Sequence, residues 1–242
     1  MHIASRAARV LTVAALPLVL AACGTTESTS AKAPASPASP ATKDPNAGLL
    51  TGAQLKKALA PASFFPAGFS SDPSATRDTG DTFVPPATKS PAKPDCTMLE
   101  GTAWIGITGV TGVSFAQGDY VNKNTSEEIT QEIDAYRGTT AASVLKDVAR
   151  IATTTCATFT DSGTHTKVRT SGRSTPGLGD EAYTITLTSS AWDNGTTLIA
   201  ARQGTNLVTV LSTDGHDDGA ATAKKLTGQI VASLKTASAK TS

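Results

Sequence analysis

The chain has 242 residues, with 21 Lys+Arg against 20 Asp+Glu and only three Cys, three His and two Met. So even a balance excludes a nucleic-acid binder, which relies on a basic surface, and 39% hydrophobic residues is low for a wholly globular chain. Residues Met1 to Ala22 have the three parts of an export signal: Arg6 and Arg9, an apolar run from Val10 to Leu20, and small residues at its end. Pro17 interrupts the run, which is too short to span a bilayer. Removal of this leader takes both arginines with it and leaves a mature chain close to neutral.

The leader ends in Leu20-Ala21-Ala22-Cys23-Gly24, which resembles the lipobox of bacterial lipoproteins. That resemblance implies that Cys23 is acylated, with diacylglyceryl and palmitate-type chains, and becomes the mature N-terminus. Two or more acyl chains give stable anchoring where one gives only reversible binding. The expected location is the outer face of the cytoplasmic membrane, lipid-anchored without a span. Residues 23–48 then form a lipidated Cys and an Ala/Ser/Pro tether, with Pro34, Pro37, Pro40 and Pro45 and no large apolar side chain before Leu49.

Residues 49–242 are expected to form one domain. Thr51 is a candidate N-cap for a helix carrying Leu55, Ala58 and Leu59, and Pro61 stops it. Between Pro61 and Asp95 prolines alternate with Phe64, Phe65, Phe69 and Phe83; the segment reads as irregular, either a loop wrapping the core or the lip of a groove. Trp104 to Ile107 and Val113 to Tyr120 read as strands. Glu128 to Tyr136 fits either period; a strand is favoured, with Ile129, Gln131, Ile133 and Ala135 on one face and Glu128, Thr130, Glu132 and Asp134 on the other. A helix is expected from Thr139 to about Phe159, with Ala141, Leu145, Val148, Ala152 and Cys156 along one face.

His165 to Thr170 and Ala182 to Thr188 read as strands. The turns Asp193-Asn194-Gly195 and Gln203-Gly204-Thr205-Asn206 bracket a strand from Thr197 to Arg202. Leu207 to Leu211 is almost continuously apolar and is expected at the sheet centre. Asp217 or Asp218 would cap a last helix carrying Ala223, Leu226, Ile230 and Leu234, fraying after Lys235. This order predicts an α+β domain, an antiparallel β-sheet flanked by helices. With Cys23 used for lipid, Cys96 and Cys156 form an even pair in an oxidising compartment, so a structural disulfide is expected. It would fasten the Phe-rich segment to the helix and, closing a loop of about sixty residues, stabilise by about 4 kcal/mol.

Several segments together resemble a known family: LLTGAQLKKAL at the domain start, DCTMLEG at Cys96, EITQEIDAYRGTTAASVLKDVARIATTTC ending at Cys156, PGLGDEAY from Pro176 to Tyr183, and LIAARQGTNLVTVLST before the last helix. In this order they are similar to the actinobacterial sensor-domain lipoproteins related to the PknH-like extracellular domain, the outer domain of a mycobacterial receptor kinase. The likeness covers roughly Leu49 to Leu234. It implies an antiparallel sheet flanked by helices with a cleft for an extracellular ligand. Thr153 to Thr155 stand where the pattern often has a Trp, and one disulfide is possible where the kinase domain has two. With no kinase domain or membrane-spanning helix in the sequence, signalling would require a partner.

The sequence has no hydrolase elbow: Gly112-Val113-Ser114-Phe115-Ala116 fails at its last position. His165 reads as a solvated strand residue, and Asp214-Gly215-His216-Asp217-Asp218 as a loop and helix cap that lacks the spacing of a calcium loop, so no metal site is expected. Gly177 and Gly179 read as turn formers and Asp180-Glu181 as a strand-entry pair. Trp192, beside a hairpin tip, and Asp180 and Glu181 are the candidate ligand-binding residues; core or rim packing is favoured for Trp104 and Trp192. The reading is a non-enzymatic envelope lipoprotein, with no cofactor, that binds an unknown extracellular ligand or envelope protein. An envelope hydrolase and a structural or assembly lipoprotein are the alternatives.

Overall fold

The structure, a computed structural model, describes residues 43–239 apart from Ser90, Ala92 and His216. The leader, Cys23 and the tether up to Thr42 lie outside the described residues, as does His216. Lys43 to Gly48 already belong to the compact unit, where the Arg137 Nε donates to Asn46 Oδ1 at 2.9 Å.

Eight strands form one fully antiparallel sheet in the order β1-β2-β3-β8-β7-β6-β5-β4. They are β1 (Phe69–Asp78), β2 (Ser114–Asn122), β3 (Glu127–Ala135), β4 (Thr158–Thr160), β5 (Lys167–Ser174), β6 (Glu181–Ser189), β7 (Thr196–Gln203) and β8 (Asn206–Ser212). The helices α1 (Gly52–Ala58), α2 (Ile105–Thr108), α3 (Thr140–Thr153) and α4 (Ala220–Ser238) complete an α+β fold. Because side chains alternate across a strand, the central strands feed two cores. Ile199, Ala201, Val208 and Val210 pack with α1 and α4 on one face; Leu198, Ala200, Leu207 and Leu211 pack with α2 and α3 on the other. β8, buried along its whole length, sits at the middle of the sheet.

Local chemistry accounts for most boundaries. Thr51 and Gln54 close a capping box at the start of α1. Gly219, at φ 79°, opens α4, and the Asp217 carboxylate accepts from the Ala221 N–H at 2.9 Å. Asp218, also at positive φ, accepts from Gly195 and so ties the β6–β7 hairpin turn to the start of that helix. Cys96 and Cys156 are disulfide-bonded, with their Cα atoms 5.4 Å apart.

Four expectations change. Trp104 to Ile107 is not a strand: Trp104 leads into α2, a single helical turn closed by Gly109 at φ 73°. The helix α3 ends at Thr153, short of Phe159, because the Thr153 and Thr154 hydroxyls bond back to Ala149 and Arg150 carbonyls and β-branched residues favour extended backbone. Phe159 accordingly lies in β4. His165, expected in a strand, occupies the turn before β5 at φ 56°. Finally, the Pro/Phe segment contains β1, a strand whose Pro73 is tolerated because it lies on the sheet edge, where the register shifts between Asp72 and Arg77.

Candidate functional site

The strand β3 alternates as its sequence suggests, but its polar face is covered. Glu132 and Asp134 project from that face and are 5% and 9% exposed. What covers them is the chain from Phe83 to Val113, folded back on itself. Val84 donates its N–H to Val113, Ala87 and Thr111 exchange hydrogen bonds, Thr88 bridges Val110, and Asp95 donates to Gly106. This flap leaves a cleft of about 300 Å³, walled by Val84, Trp104, Ile105, Val110, Phe115 and Tyr136, with Arg77, Glu132 and Asp134 as its charged groups. Val84 and Ile105, at 38% and 44% exposed, are the exposed large hydrophobic residues among those described, and both stand on its rim.

The two carboxyls interact as hydrogen-bond partners, which requires one proton held between them. Burial, and then the neighbouring Glu132, raise the Asp134 pKa well above the carboxylate range. Burial also raises that of Glu132, against the lowering effects of the Thr102 hydroxyl, which donates at 2.5 Å, and of Arg77. Neither carboxylate forms an ion pair among the described residues. The Arg77 Nε donates instead to Gln117, which in turn donates to Asp119, and its guanidinium lies 5.8 Å from the centroid of the Phe115 ring. Gly112 makes room for the acid: a Cβ there would meet Asp134 Oδ1 and the Ala135 carbonyl, each at 3.0 Å. Tyr136 is 2% exposed, lines the cleft, and its hydroxyl has no hydrogen-bond partner among the described residues.

The residues singled out in the sequence lie elsewhere and are not brought together. Asp180 is held in a turn, accepting from Arg202 Nη1 at 2.9 Å and from the Gly204 N–H at 2.7 Å. Glu181 begins β6 and is exposed, whereas Trp192 follows the far end of that strand and packs half-buried on the α3-side core. Gly177 and Gly179 both have positive φ, as turn formers should. Among the described residues no group of three or more His, Cys, Asp or Glu is placed to hold a metal ion. A larger groove of about 450 Å³ runs between α1 and α4, but none of its polar side chains is buried. The signal that could have found the cleft is the pair Glu132 and Asp134, two positions apart on one strand face and followed by Tyr136 on the same face.

No family model matches the chain, and no curated protein matches it. Among solved structures, the extracellular domain of PknH from Mycobacterium tuberculosis is similar, with a TM-score of 0.51 at 10% identity, over 77% of this chain and 97% of that one. The likeness is one of fold. No helix among the described residues is long and apolar enough to cross a membrane.

Proposed function

We propose that the chain is a lipid-anchored extracytoplasmic lipoprotein whose α+β domain serves as a sensor-like binding module of the cell envelope, akin to the PknH-related sensor domains, with the cleft over β3 as its ligand site. The observation that carries the reading is the cleft itself: an apolar rim of Val84 and Ile105 above buried carboxyls that form no ion pair among the described residues. Apolar walls with a few convergent polar groups and shifted titrations are the usual marks of a small-molecule site. The fold likeness to an extracellular kinase domain and the leader ahead of Cys23 support the location.

Native mass spectrometry of the full chain extracted from its own membranes tests the site. The wild type should carry a small molecule that a Val110→Trp variant, with the cleft filled, does not. Equal loading of the two would remove the cleft from consideration. Radiolabelled palmitate should enter the wild type and not Cys23→Ala, and label that persisted in the variant would remove the anchor.

A proton-sharing carboxyl pair also raises the envelope-hydrolase reading. Glycosidases place their two carboxyls across the scissile bond, about 5 Å or more apart. Here the two groups bond each other from adjacent positions on one strand face, which suits gripping a single ligand group better than flanking a bond.

A further inference from the structure

We propose that the cleft takes a small ligand bearing a protonated primary or secondary amine on an apolar body, with the ammonium seated on the Glu132 and Asp134 carboxyls. This rests on the cleft being the ligand site. The groups facing the two carboxyls are Arg77 from β1, Asp119 from β2, Thr102 from the flap and Tyr136 beside them. Three acids therefore face one guanidinium, and that guanidinium is directed to Gln117. Among the described residues the side-chain donor to Glu132 is Thr102, and Asp134 faces the carboxyl next to it.

A second observation is independent of the acids. Tyr136 is 2% exposed and lines the cleft, and among the described residues its hydroxyl has no hydrogen-bond partner, which leaves an oxygen to accept from the same ligand group. An ammonium has three N–H donors, and Glu132, Asp134 and Tyr136 supply three oxygens. The walls, Val84, Ile105, Val110 and Phe115, would cover the apolar body. On binding, the carboxyl pair gives up its shared proton to solvent and both groups become carboxylates paired with the ammonium, so one proton leaves for each ligand bound. Carboxylate–ammonium hydrogen bonds in a partly dehydrated site are among the stronger ones available.

Phenethylamine, 2-phenylethanol and phenylacetate share one apolar body and differ in their head group. Each is titrated calorimetrically into the full chain, with Trp104 fluorescence in a Trp192→Phe background reporting occupancy of the cleft. The amine should bind about tenfold or more tighter than the alcohol. Its affinity should rise with pH, and comparison of buffers with different ionisation enthalpies should show proton release. Asp134→Asn, which keeps the shape of the protonated acid, should weaken the amine about tenfold or more and leave the alcohol nearly unchanged. Glu132→Gln should act in the same direction, so the outcome does not depend on the folding of one variant. If the alcohol or the acid binds as well as the amine, or if amine binding tightens as pH falls, the ligand class is wrong while the cleft remains a site. If none of the three binds, the amine proposal is overturned, and the loading experiment with Val110→Trp decides independently whether the cleft is a site at all.

Discussion

The indole Nε1 of Trp104 donates to the Thr209 hydroxyl at 2.8 Å, joining buried residues 105 positions apart. Thr209 lies in β8 at the middle of the sheet, and Trp104 leads into α2 in the flap over the cleft. This bond therefore ties the cleft cover to the most buried strand. Thr209→Val keeps the shape but leaves the indole N–H unpaired, at a cost of about 2 kcal/mol. Trp104→Phe combined with it should cost less than the sum of the two single changes, with a coupling of about 1 kcal/mol, because the orphaned donor is gone. Urea unfolding of the four proteins measures this directly, and strict additivity would show that the bond contributes nothing.

Gln131 makes a second long-range fastening. It is 1% exposed, accepts from the Ala60 N–H at 2.8 Å through Oε1, and returns a bond to the Ala60 carbonyl at 3.1 Å through Nε2. The pair imitates a strand contact and anchors the chain leaving α1, just before Pro61. Gln131→Leu should cost about 2 to 3 kcal/mol, since it strands a buried backbone N–H and C=O together. Denaturant midpoints check it, and amide exchange at Ala60 should rise in the variant before exchange in β8 does.

These two contacts mark where the sequence was readable and where it stopped. Alternation in β3 correctly placed Ile129, Gln131, Ile133 and Ala135 on one face, and the Asn194-Gly195 and Gly204 turns located β7. Alternation reports which side chains share a face and not what covers it. The acids of β3 were therefore visible as a set, but their burial depends on the Phe83–Val113 flap, whose contacts span the prolines and obey no period. Trp104, apolar beside Ile105 and Ile107, carries the pattern of a strand; Gly106 and Gly109 and the indole's distant partner make it a helical turn instead. Asp180 and Glu181 drew notice as adjacent acids, yet Asp180 is occupied by Arg202 and Gly204.

The disulfide offers a third prediction. Cys96 begins a 3-10 turn midway along the flap and Cys156 follows α3, 60 residues away in sequence. Replacing both by Ser should destabilise the domain by about 4 kcal/mol in the chain-entropy account. Because Cys96 lies within the flap, between the cleft-lining Val84 and Trp104, the loosening should reach the cleft before the sheet. Hydrogen exchange in the double variant should rise first in 95–111, with the β7 and β8 amides rising last. Uniform acceleration across the chain would mean that the bond clamps the whole domain and not the flap.

Acid–base behaviour gives the last prediction, with a sign fixed by the direction of each shift. Burial, and then the neighbouring Asp161 and Asp95, push the Glu100 carboxyl up to about 7 from its ordinary 4.5. Asp134 and Glu132 are raised as well, mainly by burial. Each of these groups holds its proton more tightly folded than unfolded, so below the unfolded pKa it has no effect. As pH climbs from about 4, the unfolded chain releases protons that the folded domain keeps, and stability falls; for Glu100 the loss is complete above about 7. Asp72, Asp78 and Asp161 oppose this in acid. Hydrogen bonds from Ser74, Gly80 and Thr164 hold their pKa values below the ordinary 3.8, so their stabilisation is lost as pH falls through that lower range. Stability should therefore peak at about pH 4 and decline toward neutrality, the reverse of a domain held by ionised surface pairs. Calorimetric melting temperatures across that range test this, and Glu100→Gln should flatten the decline between about 5 and 7 while leaving the part due to Asp134. A melting temperature that rose from mildly acidic to neutral pH would show that these carboxyls are ionised in the folded domain, and the proton release expected on amine binding would go with them.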